Sequence, residues 1–461
     1  MTLTETAAFR PPIPTPRKGP VGPLQMIAIL RRNPLELWSQ AHYEEPILVG
    51  RSMLGERAVV NEPSAVRRVF LDNAANYRKD DLQLRVLRPG LGNGLLTSEG
   101  ETWRAQRRAL APLFSPRQVS AFVPAMHEVA RANVERLRRK RAGRIVDLTE
   151  EMARLTLEML EHTLFSQGLG RDASEFQTAV TRYFETAGRI DPLDLLGMPA
   201  FLPRLGRRRA RGTLDFFATA VNEIVAARRA LLARGEAGPR DILALLLDAQ
   251  DPETGKGMSE EDVRANIVTF IGAGHETTAN ALTWTLYLLS RAPDWRDKVE
   301  REIDERFDPA ATGTLDDLPV TKAVLEEALR LYPPAAILSR AAIESDVLAG
   351  RRIRAGTVVT IAPFLLHRHR TLWRDPDLFD PSRFLGAERE TIDRFAYIPF
   401  GAGPRVCIGQ GFAMSEGVIA LAHLIKAFRF DLAAGHKVEP VQRITLRPRY
   451  GMRMVMSDRA A

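Results

Sequence analysis

The stretch SEEDVRANIVTFIGAGHETTANALTWTLYLLSRAP, Ser259 to Pro293, limits the fold more than any other part of the chain. Ser259 followed three residues on by Asp262 reads as a capping box, and Pro293 marks the far end, so the spacing predicts a single helix of about 30 residues. Its flanks are apolar and fit for burial, but its middle is not: Gly272 and Gly274 are followed by His275, Glu276, Thr277 and Thr278. A mid-helix glycine costs about 1 kcal/mol against alanine, and a buried carboxylate costs more unless it is paired. Close helix packing over the glycines, with each threonine bonding back to a carbonyl one turn earlier, would account for this structurally. A local distortion of the helix beside a ligand, with an acid and a hydroxyl placed to pass protons, accounts for it functionally.

Around this rod the chain organises simply. Strand-like residues bounded by turn formers occur early, in EPILVGRSMLGERAVVNEP, and return at AGRRIRAGTVVTIAP and VQRITLRPRYGMRMVM; from about Pro63 to Tyr332 apolar residues recur at helical spacing. There is no internal repeat and no long linker. These features predict a mainly α fold with a smaller β-rich part built from both ends of the chain, in one large domain over residues 34–461. Residues 1–33, rich in proline, are expected to form an extended, poorly packed lead-in. That segment lacks the apolar run of a signal peptide, and no window supplies the roughly 20 apolar residues of a membrane span. No membrane anchor is expected, and the cytoplasm is the default location. The formal charge of +8 is concentrated in RRKRAGR (Arg138 to Arg144) and GRRRAR (Gly206 to Arg211). Both read as solvated helix ends, and aromatic residues are not interleaved with them, so no nucleic-acid partner is expected while an acidic protein partner stays open.

The chain of 461 residues has one cysteine, Cys407, inside FGAGPRVCIG, Phe400 to Gly409. One cysteine excludes an internal disulfide and any multi-cysteine metal site, and fits a reducing compartment. A lone thiol can pack as a small hydrophobe. Set among glycines and a proline, with an acid and alcohol pair on the long helix and arginines placed to meet anionic groups, it points instead to haem. A cysteine thiolate on haem iron pushes electron density toward the metal and favours cleavage of the O–O bond.

On these residues the sequence resembles the cytochrome P450 family, from about Pro34 to Met456. The cysteine loop matches at Phe400, Gly403, Arg405, Cys407 and Gly409. The resemblance implies that Cys407 is the axial ligand of the haem iron, that the haem lies between this loop and the long central helix, and that Gly403 and Gly409 let the backbone turn and aim amides at the sulfur. It implies that Phe400 packs on the ligand side of the ring and that Arg405 meets a haem propionate. In ETWRAQRRAL, Trp103 and Arg107 stand one helical turn apart and would offer an indole N–H and a guanidinium to the same propionate; Arg340 resembles a further propionate contact. AGHETT matches the oxygen-activation segment at Gly274, Glu276 and Thr277, with Ala273 against the cofactor. VLEEALRLYPP matches the Glu-x-x-Arg helix at Glu327 and Arg330, and RDPDLFDPSRF supplies Arg383 as the third member of that structural network. Ser382 stands where the family usually has glutamate, which puts the details of the network in question.

What the resemblance implies about function is a monooxygenase carrying haem b and using O2, with Thr277 and Glu276 delivering protons and a lipophilic substrate, a fatty acid or terpenoid. Phe270, Ile271 and the run Ala335, Ala336, Ile337 and Leu338 are expected to wall the substrate pocket. No flavin or iron–sulfur module follows the last β segment, so electrons are expected from a separate ferredoxin-type donor and its reductase, docking on a basic patch at Arg104 and Arg108 of a monomeric protein. A non-oxygenating haem-thiolate isomerase or sensor would keep the cysteine loop but have no need of Glu276 and Thr277. A cysteine hydrolase would need a histidine base near Cys407 and would leave Trp103, Arg107 and Arg405 unexplained.

Overall fold

The computed structural model describes residues 9–459 apart from 53–54, 141–142, 166–190, 196–197, 199–203, 235–240 and 311–316. Its longer helices are α1 (Pro23–Arg32), α2 (Asp81–Leu91), α3 (Gly100–Leu110), α4 (Pro116–Arg138), α5 (Leu148–Leu164), α6 (Leu205–Ala233), α7 (Glu260–Arg291), α8 (Pro293–Arg306), α9 (Pro319–Leu331) and α10 (Gln410–Ala427). The central rod α7 packs against α5, α9 and α10. It starts where the sequence predicts: the Ser259 hydroxyl accepts from the Asp262 N–H at 3.1 Å. Glu260, Glu261 and Asp262 fill its first turn and Arg291 its last, each matched to the helix dipole.

The expected distortion at the middle of α7 is not observed; the helix is α-helical throughout. The Thr277 hydroxyl donates to the Ala273 carbonyl at 2.7 Å and Thr278 to Gly274 at 3.2 Å, so both hydroxyls are satisfied without breaking the ladder. Gly274 serves close packing, since a Cβ there would come within 2.9 Å of Leu160 Cδ1 on α5.

The strands are β1 (Ile47–Ser52), β2 (Gly55–Val60), β3 (Tyr77–Lys79), β4 (Ile145–Asp147), β5 (Leu338–Ala342), β6 (Asp346–Leu348), β7 (Arg351–Ile353), β8 (Val358–Ile361), β9 (Phe428–Leu432), β10 (Pro440–Gln442), β11 (Leu446–Pro448) and β12 (Arg453–Asp458). The main sheet runs β1-β2-β8-β5-β3, a second runs β4-β12-β9, and β6-β7 and β10-β11 are hairpins. Early and late segments share sheets, as expected. Strands β3 and β4, three residues each within the helical stretch, carry no alternation long enough to be read and exist because a distant partner pairs with them. In β3 the partner is β5, with Lys79 directly opposite Arg340.

The lead-in departs from expectation. Residues 9–22 are largely extended but they are packed: the Phe9 ring meets Tyr287 edge-on at 6.0 Å, and its carbonyl accepts from Phe379 N at 3.1 Å. The Pro12 carbonyl accepts from the hydroxyl of Tyr332 at 2.9 Å. A tyrosine as deeply buried as Tyr332 needs an acceptor, and the lead-in supplies it. Among the described residues no helix is long and apolar enough to cross a membrane.

Candidate functional site

The cysteine loop leads into the N-terminus of α10. Gly401 and Gly403 have φ of 74° and 69°, the left-handed region that favours glycine. At Gly403 the requirement is absolute, because a Cβ would lie 1.7 Å from the Phe70 carbonyl oxygen. The loop closes on itself through Gly401 N to Ile398 O (3.0 Å), Val406 N to Gly403 O (3.0 Å) and Cys407 N to Phe400 O (2.9 Å). Gly409 has an ordinary backbone and room for a side chain; its contribution is an N–H donated to the Cys407 sulfur. Cys407 is exposed, yet the protein packed around it pushes the thiol pKa up, against the pull of the Gly409 N–H and the Arg107 charge.

Around the thiol the fold gathers cations. Arg107 on α3 donates to the Val406 carbonyl at 2.9 Å, tying that helix to the residue before Cys407. Arg405 lies over the Trp103 ring at 4.0 Å and reaches Ser98 O at 3.2 Å and the Glu99 carboxylate at 3.1 Å. Arg340 lies over Phe70 at 5.3 Å, its pKa lowered to about 10 by burial and by Arg405. Sequence reasoning missed Lys79, which is 5% exposed and opposes Arg340 across the strand pair. Burial first, then Arg405 and Arg340, push the Lys79 ammonium well below the ordinary lysine range. Like charges directly opposite in a sheet destabilise it. Among the described residues, Lys79, Arg340 and Arg405 have one carboxylate, Glu99, in their midst, and it is paired with Arg405, so the set retains donors of the kind that two carboxylates of a ligand would need. A three-residue strand gives no sequence signal for this; Lys79 takes the inner face because β3 pairs with β5.

On α7, Ala273 is exposed although its neighbours Gly272, His275 and Thr278 are buried, and Thr277 follows it one turn later on the same open face. The two residues expected to pass protons therefore separate. Glu276 is turned about 100° from Thr277 around the helix, and its carboxylate accepts from the Thr445 hydroxyl at 2.6 Å, whose oxygen in turn accepts from Asn280 at 3.2 Å. Of the expected pocket walls, Ile271 and Ala336 are enclosed by protein and present no open face, Ile271 because it shares the core side of α7 with His275. Phe270 is nearly enclosed, edge-on to Phe114 at 5.3 Å. Ala335, Ile337 and Leu338 are half-buried, and Leu338 borders Gly401 of the cysteine loop.

Glu327 and Arg330 are both fully buried on α9 and form a two-pronged pair at 2.6 and 2.7 Å. Arg330 spends its remaining N–H groups on the carbonyls of His367, Pro376 (both 2.7 Å) and Leu378 (2.9 Å). His367, not identified from sequence, completes the link. Its Nε2 accepts from Ile398 N at 2.9 Å, which leaves Nδ1 as the donor to the Arg330 carbonyl at 3.2 Å. Arg330 is thereby connected through His367 to the segment that begins the cysteine loop. Arg383 stands 3.8 Å from Glu327 and donates instead to the Asp375 carbonyl at 3.0 Å. The Ser382 hydroxyl donates to Asp380 at 2.6 Å, and Asp380 N donates to Glu327 at 2.8 Å, so the serine supports the network through a turn where a longer acid would reach directly.

The basic patch expected at Arg104 and Arg108 is absent. Arg108 is clamped by Asp251 (2.7 Å), Glu101 (3.0 Å) and Glu253 (3.1 Å), and Arg104 also pairs with Glu101 at 3.2 Å. Asp251 is 143 residues away in sequence and could not have been foreseen. On the cysteine-loop side there is instead a cleft of 620 Å³ bordered by Lys322, Arg389, Arg394 and Glu326, with Gly401 to Gly403 and Val406 among its lining.

The family model for cytochrome P450 matches residues 11–453, starting ahead of the boundary expected at residue 34. The chain is 35% identical over 390 residues to cyclooctatin synthase of Streptomyces melanosporofaciens, covering 83% of each chain. It is 33% identical to cyclooctat-9-en-7-ol 5-monooxygenase of the same organism, over 81% of this chain and 80% of that one. It is also 31% identical to a cytokinin hydroxylase of Arabidopsis thaliana, over 87% and 79%. The haem domain of cytochrome P450DA superposes with a TM-score of 0.83 at 28% identity, over 98% of both chains. The chain belongs to the cytochrome P450 family and is a monooxygenase using haem and O2. The exposed thiol, its N–H donor and the cluster of Lys79, Arg340 and Arg405 around Glu99 fit that cofactor.

Proposed function

We propose that the protein inserts one oxygen atom from O2 into a C–H bond of a lipophilic small molecule of terpenoid or fatty-acid type, using haem b held by Cys407. The observation that carries this reading is an exposed thiol in a loop beside buried Lys79 and half-buried Arg340 and Arg405, which among the described residues outnumber the carboxylate in their midst, Glu99. Bound haem would supply cleavage of the O–O bond. Lys79, Arg340, Arg405, Trp103 and Arg107 would hold its propionates, and the Gly409 N–H would temper the charge on the Cys407 sulfur. A relative named for acting on cyclooctat-9-en-7-ol supports the terpenoid side of the substrate range. The first test is the absorption spectrum of the reduced protein under carbon monoxide, where a thiolate ligand gives a strongly red-shifted Soret band.

Thr277 is the proton-handling group on the open face. Its hydroxyl donates to the Ala273 carbonyl, leaving the oxygen lone pairs to accept and the proton to be redirected by a rotation about the Cβ–Oγ1 bond. Thr277→Ala is expected to leave haem content and ligand binding near wild type while product per electron pair falls and hydrogen peroxide rises. General acid–base catalysis is worth up to about 10²–10⁴-fold, and with water able to stand in, a loss of about tenfold is expected. Unchanged coupling would return Thr277 to a purely structural role.

The single cysteine suits a reducing cytoplasm, where we infer that the protein works as a monomer with a ferredoxin-type donor and its reductase. In the cleft on the side of the cysteine loop, Arg389 is paired with Glu326 at 2.7 Å, and Lys322 and Arg394 add two further positive charges. An acidic ferredoxin docking there would show rim electrostatics: association slows as salt rises past about 0.15 M, where the Debye length is about 8 Å. Arg394→Glu is expected to cut the rate of reduction several-fold at low salt and to flatten its salt dependence. A rate indifferent to both changes would place the donor elsewhere.

A further inference from the structure

The basic run RRKRAGR, which the haem chemistry leaves unused, leads in sequence directly into β4. There the second sheet carries an open pocket of 300 Å³ built from three pieces far apart in the chain: Ile145 at the start of β4, the turn 433–437 that follows β9, and Tyr450 and Arg453 around the start of β12. Sheet pairing assembles it. Ile145 stands opposite Val455, and Ala433 N donates to the Arg453 carbonyl at 3.0 Å. None of the lining residues belongs to the cysteine loop, α3 or α7. Ile145 and Tyr450 are 46% and 51% exposed, two large apolar side chains turned to solvent around one hollow.

The charges at the pocket do not cancel. Arg453 makes no side-chain hydrogen bond or ion pair among the described residues. Its cross-strand neighbour Asp147 is spent on the main chain, Oδ1 accepting from Thr149 N and Met452 N, each at 2.9 Å. Lys437 is 3.0 Å from Glu439, and the same carboxylate also serves Arg449, so one anion meets two cations. The walls are set in advance. Lys437 and Arg449 each lie 5.8 Å from the centre of the Tyr450 ring, and His436 Nε2 donates to the Gly451 carbonyl at 3.2 Å, which fixes the turn. An apolar hollow with an unpaired guanidinium in its wall complements a flat apolar body that ends in a carboxylate, since the planar fork takes both oxygens. Small-molecule sites span about 300–1,000 Å³, and this pocket lies at the lower end, which suits one or two rings and not a long chain.

We propose that this pocket is an auxiliary binding site for a small aromatic carboxylate, separate from the haem, with Arg453 taking the carboxylate and Ile145 and Tyr450 enclosing the ring. Lys437 adds long-range attraction without a direct bond, because Glu439 already holds it. The site does not depend on what the haem side oxidises.

The test is calorimetric titration of the haem-loaded enzyme with indole-3-propionate, after the haem pocket has been filled with saturating 4-phenylimidazole. Saturable binding at one site per chain is expected, with the Soret band unmoved. Arg453→Leu should weaken it about tenfold, the loss of one charge-assisted bond. Tyr450→Ala and Ile145→Asp should each weaken it several-fold, by removing an apolar wall and by placing a like charge beside the ligand. Arg352→Leu, at an exposed arginine on β7 outside the pocket, should bind as wild type does. Indole-3-propionamide, which keeps the ring and lacks the charge, should bind about tenfold more weakly than the acid. All three altered pocket residues are exposed, so these variants should keep the wild-type unfolding temperature. No saturable binding up to about 1 mM would overturn the proposal. So would wild-type affinity in Arg453→Leu, or an amide that binds as tightly as the acid. Inorganic phosphate that displaces the probe at equal concentration would also overturn it, by showing an anion patch in which the apolar walls play no part.

Discussion

Replacing Cys407 with serine is expected to abolish the strongly red-shifted Soret band of the reduced protein under carbon monoxide. The band depends on a thiolate as donor opposite the gas, and a serine hydroxyl at the same position holds its proton under all conditions in which the protein is folded. The substitution is also clean. The loop is shaped by Gly401, Gly403 and main-chain bonds, including Cys407 N to Phe400 O at 2.9 Å, none of which involves the sulfur. Thermal unfolding of the haem-free variant should therefore match that of the haem-free wild type to within a degree or two, about what a surface substitution gives. A serine variant that retained the band, or a wild-type protein that took up no haem when supplied with it during expression, would remove the basis of the assignment.

Arg330→Ala is expected to yield little soluble haem protein. The substitution strands the Glu327 carboxylate in a fully buried position, where removing one partner of an ion pair costs about 3–5 kcal/mol, against a total stability of about 5–15 kcal/mol. Three carbonyls, those of His367, Pro376 and Leu378, lose their donor at the same time. Because His367 passes the contact on to Ile398 and so to the cysteine loop, haem retention should fall together with stability. Lysine is no substitute, since a point charge cannot form the two-pronged pair and still meet three carbonyls. A drop of about tenfold or more in haem protein per gram of cells is the expected measure, by analogy with other buried pairs. Normal yield with a normal spectrum would mean that the network adds nothing to folding.

The elements legible from sequence are those written in consecutive residues. The long helix declares itself through Ser259, Asp262 and Pro293, and the cysteine loop through glycines whose backbone angles only glycine adopts without strain, with Gly403 forced against the Phe70 carbonyl. Glu327 and Arg330 share a helix face because three residues separate them. Each of these patterns has a local physical cause, so the local text suffices.

The sequence by itself determined the class of fold, the lone thiol and the open turn of α7 at Ala273 and Thr277. Only the tertiary structure decided which charges belong together. Lys79 meets Arg340 across a strand pair, Glu276 meets Thr445 rather than sharing the open face with Thr277, and Arg108 is taken up by Asp251. The partners in these pairs lie more than a hundred residues apart, and a polar side chain carries no record of its distant partner. Burial makes an unpaired charge or donor costly, but it is the packing of helices and strands that brings a particular acceptor within 3 Å of it.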